Sequence, residues 1–126
     1  MTMNEIKILI CDDSILVRKN LKKFLTSLGC SEIYEAVNGQ EAIEKYKESK
    51  PDLVFMDIVM PVKTGLDALI EILDFDTSAK VVMVSSVGTQ SHLQQAIESG
   101  AFNFVQKPIE NEFIRKILEN FINGGK

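Results

Sequence analysis

Short apolar runs alternate with segments of helical periodicity along the whole chain. The runs predict five strands at residues 6–10, 32–36, 53–57, 80–85 and 101–105. After each run, apolar side chains recur at spacings of three and four residues, as on the buried face of an amphipathic helix. The five helices predicted in this way begin at Ser14, after Asn38-Gly39, near Leu66, after Thr89 and after Pro108. Strand and helix therefore alternate five times.

The third and fourth strands, residues 53–57 and 80–85, are apolar without alternation. Central strands of a parallel sheet read this way because helices cover both of their faces. Five βα units with right-handed crossovers predict an α/β fold, a doubly wound five-stranded parallel sheet. A chain of 126 residues can bury a core without disulfides or a structural metal. We expect residues 1–126 to form one domain.

Composition removes several functional classes. The chain has 14 Lys and Arg against 18 Asp and Glu, a net charge of -4 without a basic stripe, which disfavours direct nucleic-acid binding. No apolar run reaches the roughly 18 residues of a membrane span, and the first residues lack a signal-peptide hydrophobic region. Cys11 and Cys30 form no CxxC motif, and His92 is the single histidine, so a Cys/His metal quartet is excluded. We expect a cytoplasmic protein with no membrane contact.

Charged residues stand at the ends of three predicted strands. Asp12-Asp13 follow the first strand, Asp57 ends the third, and Lys107 follows the fifth. The carboxyl ends of parallel strands meet at one sheet edge, so these residues should share a pocket. Three clustered carboxylates repel one another unless a cation joins them. The pattern therefore predicts a site for a hard divalent ion such as Mg²⁺, with a lysine suited to a phosphoryl group.

These positions resemble the motifs of the receiver domain of two-component response regulators. The matching residues cover nearly the whole chain and are Asp12-Asp13, Asp57-Ile58-Val59-Met60-Pro61, Gly65, Ser85, Phe104 and Lys107-Pro108. They form four sets, which lie at the ends of the first, third, fourth and fifth predicted strands in the family's order. Because the chain ends just after the fifth helix, it is similar to stand-alone, CheY-like members. The resemblance implies the flavodoxin-like, CheY-like (βα)5 fold.

The resemblance also implies a chemistry for the site. Asp57 would be the phosphoacceptor, whose carboxylate attacks phosphohistidine on a histidine kinase or phosphotransfer protein. Mg²⁺ would be held by Asp13, Asp57 and the backbone carbonyl of Val59, with Asp12 reached partly through water. Lys107 would pair first with the acceptor carboxylate and then with a phosphoryl oxygen. In this family the Lys107-Pro108 peptide bond is cis, and we expect the same here.

A signalling switch follows from the same resemblance. The hydroxyl of Ser85 would bind the new phosphoryl oxygen, and Phe104 would then rotate inward, which is a shift between two populations. The output surface would comprise the fourth helix, with Gln90, His92, Gln94 and Gln95, together with the fifth strand and fifth helix. A partner bound in trans would receive the signal. The flagellar motor switch is the leading downstream candidate, which makes chemotaxis the expected setting, but a phosphorelay intermediate would use the same residues.

Two apolar residues depart from the more familiar members of the family. Val59 and Val87 occupy positions that flank the attacking water in the family and that are often polar. Apolar side chains position water poorly, so the sequence predicts slow self-dephosphorylation.

Alternative interpretations of these residues remain open from sequence alone. Asp13 or Ser14 could be the N-cap of the first helix. Lys107 could extend from a strand end into solvent, and Phe104 could be an ordinary edge-strand residue. A haloacid-dehalogenase-type phosphatase needs an acid at the position of Val59, so the hydrolase interpretation is weak. A phosphorylation-independent binding module, or a receiver domain cut from a larger transcriptional regulator, are the stronger alternatives to a stand-alone switch with no turnover chemistry on metabolites.

Overall fold

A computed structural model describes residues 1–86 and 88–124, without the side chain of Gln90. The strands are β1 (Lys7–Cys11), β2 (Glu32–Ala36), β3 (Leu53–Asp57), β4 (Val81–Ser85) and β5 (Asn103–Gln106). The helices are α1 (Ile15–Ser27), α2 (Gly39–Ser49), α3 (Gly65–Phe75), α4 (Gln90–Glu98) and α5 (Asn111–Ile122). All strand pairs are parallel, in the order β2-β1-β3-β4-β5. The doubly wound α/β fold predicted from the sequence is confirmed.

Helices cover both faces of the sheet and produce two cores. Every residue of β3 and β4 is buried, as the absence of alternation in these strands predicted. Val54 and Met56 pack in the core under α2, α3 and α4. Leu53 and Phe55 point to the opposite face, into the core under α1 and α5. Because side chains alternate across a strand, β3 contributes to both cores and is held firmly from each side.

Polar side chains begin three of the helices near the site edge. Ser14 accepts a hydrogen bond from the backbone N–H of Val17 at 3.2 Å, so Ser14 and not Asp13 is the N-cap of α1. Asn38 and Thr64 cap α2 and α3 in the same way. Each cap satisfies an N–H group that has no partner within the helix. The polar residues between the apolar runs thus define where these helices start.

Three strands differ from their predicted bounds, and the fourth strand differs only in beginning at Val81 instead of Lys80. The first strand begins one residue later than predicted and includes Cys11. The fifth begins at Asn103, opposite Val82 of β4, so Ala101 and Phe102 precede it. These two apolar side chains pack against the cores from the connecting loop, which is why an apolar run overestimated the start of the strand.

No helix in the described part of the chain is long and apolar enough to cross a bilayer.

Candidate functional site

The predicted site residues lie at the carboxyl edge of the sheet, where the strands end. Asp57 is the last residue of β3 and Ser85 is the last residue of β4. Asp12 follows β1 directly, and Lys107 follows β5 directly. Since β1 and β4 are the two neighbours of β3, their ends flank Asp57 on either side. The topology therefore brings residues from four strands to one place.

Three carboxylates come close enough to share one cation. One ligand oxygen from each of Asp12, Asp13 and Asp57 lies within 4.8 Å of the others. Asp12 and Asp57 are 3% and 5% exposed, while Asp13 is exposed to solvent. An anionic, all-oxygen donor set that is open to water on one side matches the ligand preference of Mg²⁺, which retains part of its water shell. The residues present therefore fit a hard divalent cation.

Lys107 places its ammonium group between two of these carboxylates. Its Nζ is 3.0 Å from Asp12 Oδ2 and 3.4 Å from Asp57 Oδ2. Burial by itself would lower the pKa of Lys107, but the hydrogen bond to Asp12 and the charges of both acids outweigh burial and raise that pKa. The nearer partner is Asp12, whereas the sequence resemblance pointed to Asp57. The Lys107-Pro108 peptide bond is cis, which confirms that expectation.

The carboxyl group of Asp57 is poorly neutralised. Burial and the neighbouring charge of Asp12 raise its pKa above the ordinary value for aspartate. The ammonium of Lys107 and the backbone N–H of Val59 act in the opposite direction, since both favour the charged form, but they do not cancel the effect. A cation in the pocket would remove most of this remaining repulsion.

We expect Asp57→Asn to stabilise the protein in metal-free buffer at neutral pH, by about 1–2 kcal/mol. Ionised Asp57 destabilises the fold wherever the pH lies above its raised pKa, and protonation removes that cost at lower pH. The gain should therefore shrink as the pH falls towards about 4. Urea unfolding of both proteins between about pH 4 and pH 7 measures this gain in the free energy of unfolding. Asp74→Asn, which alters an exposed acid of α3, is the control and should change little; a destabilised Asp57→Asn would contradict the argument.

Two glycines hold the loop that follows β3 against its neighbours. A Cβ atom at Gly65 would lie 1.8 Å from the backbone carbonyl oxygen of Asp57, and the Gly65 N–H donates to Ile58 at 2.7 Å. A Cβ atom at Gly39 would lie 2.3 Å from the carbonyl oxygen of Lys63. A side chain at Gly65 would therefore collide with the backbone of Asp57, and a side chain at Gly39 would collide with the backbone of Lys63. The sequence motif included Gly65, but nothing in it pointed to Gly39.

The same loop contains a γ-turn centred on Val62. The N–H of Lys63 donates to the carbonyl oxygen of Pro61 at 2.7 Å, and Val62 has a φ of 69°. A β-branched residue with positive φ is strained, and turns of this hand are rare. Because Val62 is 82% exposed, side-chain packing does not account for the conformation. The bonds of Gly39 and Lys63 on one side, and of Gly65 and Ile58 on the other, hold the loop there.

The two predicted switch residues occupy different environments. Ser85 is 1% exposed, and its Oγ has no hydrogen-bond partner among the described residues. The ring of Phe104 is 43% exposed and faces solvent. After Ser85, the hydroxyl of Thr89 donates to the carbonyl oxygen of Ser86 at 2.8 Å and accepts from its N–H at 2.7 Å. Val87, the second position predicted to flank the attacking water, lies outside the described residues.

Sequence reasoning missed two charged residues beside the site. Arg18 of α1 donates to the backbone carbonyl oxygen of Asp12 at 2.7 Å, and its Nε lies 3.1 Å from Glu35 of β2. An arginine on a surface helix carries no sequence signal that separates it from a solvated charge. The contact depends on the way β1 and β2 pair, which local patterns do not specify.

Comparison with known proteins agrees with this geometry. The family model of the response regulator receiver domain matches residues 8–119. The chain belongs to this family. A chemotaxis protein CheY from Thermotoga maritima is 45% identical over 104 residues, covering 82% of this chain and 87% of that protein. A CheY from Bacillus subtilis is 41% identical over 117 residues, covering 93% and 98%.

A solved structure supports the same relationship. A chain in the crystal structure of the CheX-CheY-BeF3-Mg²⁺ complex from Borrelia burgdorferi superposes on this receiver domain with a TM-score of 0.85. It is 32% identical and covers 96% of this chain and 90% of its own length. The CheY-like fold implied by the sequence motifs is therefore confirmed.

Proposed function

We propose that this receiver domain is a phosphorylation-activated switch of a two-component system, with residues 1–126 acting as one unit. Asp57 accepts the phosphoryl group of a phosphohistidine on a kinase or phosphotransfer protein. The observation that carries the proposal is the cluster of Asp12, Asp13, Asp57 and Lys107 at the end of β3 in a chain of this family. A protein of this kind is a signal carrier and has no turnover chemistry on metabolites.

The transfer step requires an ionised and correctly placed acceptor. One carboxylate oxygen of Asp57 attacks phosphorus, the bond from phosphorus to the donor imidazole nitrogen breaks, and that nitrogen keeps the electron pair. Positioning and charge neutralisation account for most catalysis of this reaction. The Val59 N–H and the Lys107 ammonium favour the charged form of Asp57. After transfer, Lys107 is within reach of a phosphoryl oxygen, because its Nζ starts 3.4 Å from the acceptor.

Mg²⁺ is the proposed cofactor of this step. Asp12, Asp13, Asp57 and the backbone carbonyl of Val59 would hold it, and the spacing of the three carboxylates supports this assignment. When bound, it would supply the positive charge that offsets the acids and the incoming phosphoryl oxygens. The related complex from Borrelia burgdorferi contains Mg²⁺ and BeF3, which is consistent with the same requirement here.

The response to phosphorylation begins at Ser85. Its buried hydroxyl, which has no partner among the described residues, is available to donate to a phosphoryl oxygen on Asp57. That bond would favour the loop after β4 in a position nearer Asp57, and Phe104 would rotate inward from its solvent-facing position. A phosphoryl group can shift this equilibrium only because it interacts better with one of the two arrangements.

The output surface is proposed to comprise α4, β5 and α5. It exposes three large apolar side chains, those of Ile97, Phe104 and Phe113, within polar surroundings that include His92 and Gln94. Such a mixture suits a reversible protein contact. The two relatives described above are chemotaxis proteins, which makes chemotaxis the proposed setting and the flagellar motor switch the leading target. We place this exchange in the cytoplasm, without contact to nucleic acid or membrane.

Direct phosphorylation tests the proposal. Wild type, Asp57→Asn and Asp74→Asn are incubated with MgCl2 and acetyl phosphate, and intact mass spectrometry counts the phosphoryl groups gained. We expect one group on wild type and on Asp74→Asn, none on Asp57→Asn, and none on any variant in EDTA. If wild type gains no mass with acetyl phosphate or with a phosphorylated kinase, the passive binding module becomes the better explanation.

Self-dephosphorylation gives a second, independent prediction. Val59 is 52% exposed beside the acceptor and cannot hydrogen-bond a water. Val59→Asn should therefore speed phosphoryl loss about tenfold, which corresponds to one added hydrogen bond in the transition state. Phosphoryl loss after removal of the donor is followed by intact mass, with Val59→Leu as the apolar control. Equal rates for the three proteins would show that this position does not limit hydrolysis.

A further inference from the structure

We infer that Arg18 is a positioning residue for the proposed cation site, holding the Asp12-Asp13 segment in a metal-binding arrangement. The inference rests on the proposed function, since it concerns the same site. Arg18 lies one turn into α1, and its side chain is only 13% exposed. Its Nη1 donates to the backbone carbonyl oxygen of Asp12 at 2.7 Å, while its Nε lies 3.1 Å from Glu35 Oε1.

Arg18 completes the fixation of the peptide that follows β1. The N–H of Asp12 donates to Ala36 of β2 at 3.1 Å, which extends the sheet pairing by one residue. The carbonyl oxygen of Asp12 accepts a hydrogen bond from the side chain of Arg18. Glu35 precedes Ala36 on β2. The N–H of Asp12 is therefore held against β2 directly, and its carbonyl is held against the same strand through Arg18. The direction of this carbonyl sets the plane of the peptide that leads into Asp13.

The side chain of Asp12 is held separately. Its Oδ1 accepts from the N–H of Ser14 at 2.9 Å, and its Oδ2 faces Lys107 at 3.0 Å. Asp13 has no comparable restraint on its exposed carboxylate in the described part of the chain. Its position therefore depends on the backbone, which Arg18 helps to hold through the Asp12 carbonyl. Partners of this kind, one shell beyond the ligands, commonly change metal affinity by 10–100-fold when removed.

A positioning role and a purely electrostatic role predict opposite signs. Arg18 is a cation near three carboxylates, so its removal should tighten Mg²⁺ binding if only charge mattered. If Arg18 positions the loop, its removal should weaken Mg²⁺ binding although a positive charge is lost. Arg18→Lys sharpens the contrast, because an ammonium keeps the charge but lacks the planar fork that reaches Asp12 and Glu35 together.

The test is calorimetric titration of the unphosphorylated protein with MgCl2. We expect Arg18→Ala and Arg18→Lys to raise the dissociation constant for Mg²⁺ about tenfold, and Glu35→Gln to raise it by a smaller factor. Lys22→Ala is the matched control, because Lys22 contacts only the other oxygen of Glu35, at 3.4 Å, and is half exposed. It should bind Mg²⁺ as wild type does or slightly more tightly.

Phosphorylation kinetics provide the second measurement. With acetyl phosphate as donor, the Mg²⁺ concentration for half-maximal rate should rise in both Arg18 variants, while the rate at saturating Mg²⁺ stays within about twofold of wild type. Unchanged or tighter binding in Arg18→Ala, full rescue by Arg18→Lys, or an equal loss in Lys22→Ala would overturn the inference. A wild type that binds no Mg²⁺ would contradict the proposed metal site itself, which is a different result.

Discussion

Gly65→Ala is expected to lower the free energy of unfolding by about 3 kcal/mol, towards the upper end of the range for overpacking. The new Cβ would lie 1.8 Å from the carbonyl oxygen of Asp57 and 2.8 Å from its carbonyl carbon. Both are backbone atoms of a buried central strand, so neither can move aside cheaply. The strain would fall on Asp57, the proposed acceptor, and the rate of phosphorylation should drop with the stability.

Urea unfolding followed by circular dichroism measures this loss, and Gly29→Ala provides the matched control. At Gly29 a Cβ atom meets only Met3 Cβ at 3.4 Å, an ordinary contact, although the φ of 107° is unfavourable for alanine. The control should therefore lose about 1–2 kcal/mol from its backbone conformation alone. A smaller loss at Gly65 than at Gly29 would mean that the loop after β3 moves away from Asp57 more easily than its hydrogen bonds suggest.

Lys107→Met is the second change with a large expected effect. Methionine keeps much of the volume but leaves the buried carboxylates of Asp12 and Asp57 without their cation. Removing one partner of a buried ion pair is strongly destabilising, because the other charge stays buried without a partner. Since Lys107 is 24% exposed, solvent screens the pair, and the free energy of unfolding should fall by about 1–3 kcal/mol at pH 7. The rate of phosphorylation should fall about a hundredfold, as when one transition-state donor is removed.

The pH dependence of Lys107→Met follows from the two pKa directions. The pKa of Asp57 is already raised, and it rises further without Lys107, so protonation relieves the repulsion as the pH falls. The difference from wild type should therefore be smallest near pH 4 and widen towards pH 7. The pKa of Lys107 is itself raised, so its contribution persists until the pH exceeds the usual range for lysine.

Unfolding of the two proteins at several pH values checks this profile, with and without MgCl2. Lys19→Met, which alters an exposed lysine on α1, serves as the control for lost positive charge. A loss at Lys107 that is independent of pH would show that the side chain matters for packing and not for charge. Added Mg²⁺ should restore more stability to Lys107→Met than to wild type, because the cation then replaces the missing ammonium.

Much of this fold could be predicted from the sequence because local signals agreed with one another. The bounds of β2 and β3 are those that the apolar runs predicted. The error at β5 arose because Ala101 and Phe102 are apolar for reasons of loop packing, which hydrophobicity alone does not separate from strand pairing. Strand order and register depend on long-range contacts, which local patterns do not specify. The CheY-like arrangement was predicted from the resemblance to the receiver family.

The candidate site, like the fold, could be predicted only in part from the sequence. Acids and a lysine at strand ends indicated which residues would meet, since parallel strands share a carboxyl edge. The sequence did not indicate that Asp12 is the nearer partner of Lys107, or that Arg18 binds the Asp12 carbonyl. Such contacts depend on differences of a few tenths of an ångström between groups on different elements, which local sequence patterns do not specify. The roles of Ser85 and Phe104 stay predictions until phosphorylation is measured.

The position of β3 between β1 and β4 has a consequence for how this protein can diversify. The residues that would receive the ion come from the β1 side of Asp57, and those that would respond to the phosphoryl group come from the β4 and β5 side. Apart from Lys107, which follows β5 and serves the transfer step, substitutions on the first flank can thus tune how readily the switch is phosphorylated, while substitutions on the second tune its output and its choice of partner. A lineage could retarget such a messenger without rebuilding its chemistry.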